Sequence, residues 1–326
     1  MQFSDLSMPQ MLMVVTVAAA IGVAAGPIVG WYVVRLEADR PAQRGMSLAL
    51  AVGLGLLATS LVMLAGQHIP YVSPDPAGRW GRLVFHGILI TLLLAATWYD
   101  LRHTEIPDGI TLPGMLIGLG ASTLSGDLQM IHLWMDWNPV AEHMHGGNVV
   151  IPEWIRDHRH WHGLALSAAG LTCGGGLTWI VRLVSGWVLG REALGLGDVT
   201  LMAMIGSFMG WQPVLFVFLL APFCGLLVGF LAKVLANRSY VPYGPFLAAA
   251  ALVVLLFWRW IWMFPPGAGP GDFAIRHLFG DGLSLAIIAG IALAAFFLLL
   301  LVVRLYGAIP TRSRSSRASA DAADEP

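Results

Sequence analysis

Cysteine, charge and a basic leader are what this chain has little of. Its 326 residues include two cysteines, Cys173 and Cys224, which sit far apart in apolar runs. That argues against a disulfide framework or a Cys-ligated zinc site. Charged residues are 11% of the chain and the net charge is −1, not the basic balance of a nucleic-acid binder, so no nucleic-acid partner is expected. No internal repeat and no second soluble domain can be read. Met1 to Gln10 lacks the basic segment of a cleaved signal peptide, so the first apolar run is expected to stay in the mature protein. Apolar residues are what the chain has in excess. It is 57% hydrophobic, with a mean hydropathy of +0.73, and one soluble core of this length cannot bury so much apolar surface.

Several runs reach the roughly 20 helical residues needed to cross a hydrocarbon layer. The sequence therefore reads as an all-α, polytopic membrane helix bundle of about nine spans: 11–34, 46–66, 83–99, 109–126, 163–189, 198–211, 213–236, 245–264 and 283–305. The count is eight if the short sixth span is only partly inserted. Residues 1–310 form the bundle, with a His- and Trp-rich outer insert at about 127–162 and a disordered cytoplasmic tail over 311–326. Orientation follows from Arg and Lys. With the N-terminus outside, twelve of the 18 basic residues fall on the inner side, among them Arg35, Arg40, Arg44, Arg102, Arg191 and Lys233. Gly22, Gly26 and Gly30 repeat at intervals of four, as do Gly114/Gly118 and Gly225/Gly229. Small residues at this spacing let helix backbones approach closely in lipid, within one bundle or across a homodimer.

Two acids then stand out. Asp100 ends the third span in Trp98-Tyr99-Asp100-Leu101-Arg102-His103-Thr104-Glu105-Ile106-Pro107-Asp108, and Asp198 opens the sixth in Gly195-Leu196-Gly197-Asp198. Two full spans lie between them, and an even number returns the chain to the same side, so both carboxylates are expected near the cytoplasmic boundary. An acid in a membrane helix costs ~2.5–3.5 kcal/mol on insertion scales and is usually retained for a task. The structural alternatives are plain. Asp100 can be an interfacial acid closing a helix, Asp198 and Asp108 can be N-caps of the helices they begin, and Glu105 can be a solvated loop charge. The glycines at 195 and 197 remove side chains beside Asp198, so that a substrate backbone can come close.

The pattern Asp-(x)6-Pro-Asp at Asp100, Pro107 and Asp108, followed by Gly-x-Gly-Asp at 195–198, resembles the type IV prepilin peptidases, in particular their short branch. Gly26-Pro27-Ile28-Val29-Gly30-Trp31 resembles the family's first helix, and Val241-Pro242-Tyr243-Gly244-Pro245-Phe246 its late Pro-Gly-Pro turn. The resemblance implies an inner-membrane aspartyl endopeptidase. It would cut the short basic leader of pilin-like or pseudopilin precursors at the cytoplasmic face, with Asp100 and Asp198 as the catalytic pair, supported by Gly195, Gly197, Pro107 and Asp108. Two nearby carboxylates cannot both ionise easily and share a proton. The ionised member takes a proton from water while the other donates to the scissile carbonyl. This chemistry calls for no cofactor and no metal.

Some features depart from the family. Many members carry two Cys-x-x-Cys pairs in the first cytoplasmic loop and also methylate the new N-terminus. Here that loop, Arg35 to Gly45, has no Cys, which puts methylation in doubt. The insert carries His132, His143, His145, His158, His160 and His162. His-x-His spacing suits zinc or copper on a strand, whereas the interleaved Trp134, Trp137, Trp154 and Trp161 suit interfacial packing. Presenilin-type proteases share Tyr-Asp and Gly-Leu-Gly-Asp but add a Pro-Ala-Leu motif that this chain lacks. A reading from another class is a transporter using Asp100 and Asp198 as a proton or cation relay, although relay acids usually sit nearer the bilayer midplane. A non-catalytic scaffold of a pilus or secretion assembly is a third.

Overall fold

The structure, a computed structural model, describes Val72 and residues 76–126, 128–135, 151–189, 194–236, 242–264, 275–280 and 282–307. The first two spans, the 35–45 loop, the Gly22–Gly30 series, His143 and His145 of the insert and the tail from Thr311 lie outside the described residues. The elements are α1 (Pro76–His103), α2 (Asp108–Ser125), the short α3 (Glu153–Asp157), α4 (Arg159–Leu189), α5 (Leu196–Met209), α6 (Trp211–Ala236), α7 (Gly244–Trp262), a 3-10 turn at Ile275–Phe279, and α8 (Gly282–Gly307). Among the described residues there is no strand.

Each span read from the third to the ninth is a helix. Gly81–His103, Arg159–Val188 and Gly244–Trp262 are long and apolar enough to cross a membrane by themselves. Large apolar side chains such as Leu116, Leu124, Trp187, Phe223 and Leu298 point outward. On a soluble protein such a surface would be an aggregation liability, but here it is what a bilayer solvates. The chain is therefore a multi-pass helical membrane bundle.

The short α5 is its hub. Its 14 residues fall short of a full crossing, yet every residue from Leu201 to Met209 is buried. Small residues bring its neighbours in. A side-chain carbon at Gly170 of α4 would run into the carbonyl oxygen of Gly206, and one at Gly206 into that of Gly170. Gly174 stands against the Met202 carbonyl in the same way. On the other flank, Gly114 and Gly118 of α2 receive Met204 and Ser207 of α5. The four-residue glycine spacing of α2 thus serves packing within the bundle, as small-xxx-small patterns do in lipid. The Ser167 hydroxyl donates to the Ser207 carbonyl at 2.6 Å, closing the α4–α5 seam.

Helix boundaries differ in places from the sequence reading, and α1 begins at Pro76 rather than 83. Helix α4 starts at Arg159 rather than 163, so the last residues of the 127–162 insert form its first turn. Charged and polar residues at 156–162 hid that continuation. The described parts of the insert also pack onto the bundle, and Leu128, Met130, Ile131 and Met135 are buried. Polar side chains hold it there. The Trp211 indole donates to the Leu133 carbonyl at 2.9 Å, Gln212 donates to the His132 carbonyl at 3.0 Å, and the Leu133 N–H donates to His162 Nε2 at 2.8 Å. His160 Nδ1 pairs with the Thr123 carbonyl at 2.9 Å; a carbonyl only accepts, so Nδ1 carries the proton. These histidines fasten backbone at the end of the bundle away from Asp100. Gly126 makes the preceding turn possible. It takes a left-handed φ of 72° as C-cap of α2, a conformation that suits glycine.

Candidate active site

Helix α1 ends where the site begins. Asp100 lies in its last turn and is 4% exposed. Beside it the Arg102 guanidinium stacks over the Trp98 ring, 4.1 Å from the centroid, a cation–π contact of the kind that anchors a helix end at an interface. Thr104 stops the helix. Its φ is 57°, a left-handed geometry rare for a residue other than glycine, while its N–H still donates to the Asp100 carbonyl at 2.8 Å. The chain therefore turns sharply into Glu105, Ile106 and Pro107 and re-enters helix at Asp108.

Asp108 does not cap α2. Pro107 is the N-cap, with extended backbone and no side-chain cap bond, and Asp108 is the first helical residue. Proline fixes φ and suits the non-helical approach. The Asp108 side chain is exposed and turns toward the cavity described below. Asp198 is not an N-cap either. Gly195 caps α5 and Asp198 is the third helical residue. Its Oδ2 accepts the Gly195 N–H at 3.0 Å, one half of a capping box; glycine has no side chain to supply the other half. Asp198 therefore braces its own loop while its carboxyl faces the cavity. From the other side, Arg182 of α4 donates to the Leu194 carbonyl at 3.2 Å and holds the approach to the loop.

The two motifs meet at Ile106. This buried side chain lies where a Cβ on Gly197 would sit, with Ile106 Cβ at 2.9 Å from that position and the Ile106 backbone N and O each at 3.2 Å. Gly197 is small because the loop after α1 packs on it. A Cβ on Gly195 would touch Asp198 Oδ2 at 3.5 Å and little else, so that position is open. Between the motifs lies a cavity of about 300 Å³, lined by Asp100, Thr104, Glu105, Ile106 and Asp108 from one and by Gly195 to Asp198 from the other. All the site residues singled out in the sequence lie in this cavity wall except Pro107, which shapes the turn between them.

One neighbour was not read as part of the site. The N–H of Gly244, the first residue of α7, donates to Asp100 Oδ2 at 3.1 Å. Tyr243 precedes it. Burial pushes its phenol up to about 12, and the Asp198 charge, then Cys224, add to the shift, so the phenol keeps its proton at neutral pH. The Pro-Tyr-Gly-Pro wording was legible, but its contact with Asp100 spans 144 positions and leaves no local trace.

Among the described residues, no group of three or more His, Cys, Asp or Glu is arranged to hold a metal ion. The His132 and His162 rings meet at a tilt of 56° with centroids 5.2 Å apart, and neither lines this cavity.

Comparison with known proteins points the same way. Residues 154–230 match the model of the type IV leader peptidase family; that segment contains Asp198 but not Asp100. The chain is 29% identical over 185 residues to a prepilin leader peptidase/N-methyltransferase of Aeromonas hydrophila, covering 56% of this chain and 51% of that one. It is 28% identical over 188 residues to one of the same name from Pseudomonas putida, covering 56% and 53%. A Myxococcus xanthus relative of that name is 31% identical over 153 residues, covering 47% and 35%. The chain spans about half the length of the first two and a third of the third. No solved structure matches it.

Proposed function

We propose that this chain, related to the type IV leader peptidases through residues 154–230, is an intramembrane aspartyl endopeptidase with Asp100 and Asp198 as its paired carboxylates. Its substrates are pilin-like precursors, cut behind a short basic leader at the cytoplasmic face of the inner membrane. The observation that carries this reading is the single cavity into which two motifs nearly a hundred positions apart bring their acids.

The chemistry follows from that pairing. One carboxylate takes a proton from water as the water oxygen bonds to the scissile carbonyl carbon. The protonated partner gives its proton to the carbonyl oxygen. The tetrahedral diol then collapses, the C–N bond breaks, and a proton from the dyad leaves with the amine. The pair titrates as a unit, so neither acid owns one role. Both groups stand at helix ends, Asp100 in the last turn of α1 and Asp198 in the first of α5. That placement suits hydrolysis at one membrane face better than a relay through the bilayer midplane. The N-methyltransferase half of the relatives' names stays outside the proposal, since the 35–45 loop has no cysteine.

The cavity also fits a cationic segment. Asp100, Glu105, Asp108 and Asp198 line it, and among the described residues no Lys, Arg or His does. Glu105 and Asp108 are exposed, so each contributes at most ~1 kcal/mol to a salt-screened pairing. Glu105→Gln is expected to lower kcat/KM up to about fivefold on a precursor with a basic leader, less at high salt. On a leader with its basic residues neutralised, the same substitution is expected to change little. Equal losses on both leaders would show that Glu105 does not read charge. The reading as a whole is tested by incubating the detergent-solubilised full chain with pilin-like precursors and following the size shift. Cleavage supports it, and intact precursors across a broad panel overturn it.

A further inference from the structure

The turn Pro242–Tyr243–Gly244–Pro245 touches Asp100 from outside both acid-bearing motifs. Gly244 opens α7, and its N–H is one of the donors that a helix start leaves without a partner inside the helix. It donates to Asp100 Oδ2 at 3.1 Å, and Asp100 is 4% exposed. The fit is close as well as polar. A Cβ on Gly244 would collide with that same carboxylate oxygen and would lie 3.2 Å from Asp100 Cγ and 2.9 Å from Ile106 Cδ1. Prolines on both sides fix φ at 242 and 245 and limit how far the turn can retreat. Ile106 thus lies against the Gly197 loop on one side and Gly244 on the other.

We propose that Gly244 is a positioning residue for Asp100. Its backbone N–H fixes the carboxylate through Oδ2, and its missing side chain leaves the space that the carboxylate occupies. A carboxylate held through one oxygen keeps the other for water or substrate. This role rests on the reading of Asp100 as one of the two catalytic acids.

The test compares two alanine substitutions in the purified full chain. Gly244→Ala keeps the N–H but puts a methyl where Asp100 sits. Gly225→Ala presses on the same end of α7 through Phe246, whose ring carbon Cδ2 would be 3.0 Å from the new Cβ, without reaching Asp100. Gly244→Ala is expected to lower kcat by about 10²-fold, the usual effect of ångström-scale misplacement, with KM within about threefold of wild type. Gly225→Ala is expected to stay within about threefold in both. Equal kcat losses in the two variants, or a Gly244→Ala loss confined to KM, would overturn the proposal.

Amide exchange at Gly244 supplies a second readout that needs neither variant. It is expected to be slow in wild type and at least tenfold faster in Asp100→Ala; an unchanged rate overturns the proposal. The two readings fail separately. If wild type cleaves no precursor, the protease reading is lost while the exchange result still reports on the contact. If wild type cleaves and Gly244→Ala cleaves equally well, only the positioning role is lost.

Discussion

Asp100→Asn and Asp198→Asn are each expected to abolish precursor cleavage, by at least about 10²–10⁴-fold, the usual yield of a positioned acid or base. The loss should be as large for either single variant as for the double, because the two groups act as one dyad and their effects are not additive. The variants should still reach the membrane at wild-type levels. An asparagine at 100 keeps an acceptor oxygen for the Gly244 N–H, which now bonds Oδ2 at 3.1 Å. An asparagine at 198 keeps one for the Gly195 N–H, now at 3.0 Å. Immunoblots of membrane fractions beside the cleavage assay separate the two effects. Activity retained by either variant would remove that residue from the chemistry.

The second large effect concerns folding. Gly170→Val and Gly206→Val are each expected to destabilise the bundle by about 3 kcal/mol or more, at the upper end of over-packing costs. Each new side chain meets a backbone carbonyl of the opposite helix, and backbone inside two packed helices cannot swing aside as a side chain can. Gly176→Ala and Gly186→Ala make the control within the same helix α4, since a Cβ at either position meets nothing within 4 Å. The measurement is the monodisperse fraction after detergent extraction, with a melting curve. The valine variants should aggregate or melt early, and the alanine variants should match wild type. Normal melting by Gly206→Val would contradict the close α4–α5 contact.

The same residues show what could be read from sequence. Hydropathy located every long helix among the described residues, because lipid leaves no other use for such runs. It misplaced ends where charged residues ride inside a helix. Arg82 is 7% exposed within α1 and donates to the Val72 carbonyl at 2.9 Å, although its charge placed it outside the span. Local motif grammar put Asp108 and Asp198 at helix starts but at the wrong positions. Pro107 and Gly195 take the cap sites, and both acids are thereby turned toward the cavity. Gly197 illustrates a different gap. Its smallness looked like room for a substrate, whereas Ile106 packs there. Such contacts join segments far apart in the chain and follow from tertiary packing alone.

The central claim is that Asp100 and Asp198 form one proteolytic centre. The most direct measurement is the mass of the mature N-terminus after the full chain and a basic-leader pilin precursor are expressed together in membranes. The claim requires a single new terminus behind the leader with wild type, and only full-length precursor with Asp100→Asn or Asp198→Asn at matched membrane levels. Processing at the same bond by either variant, or no processing by wild type across the precursor panel, would contradict it.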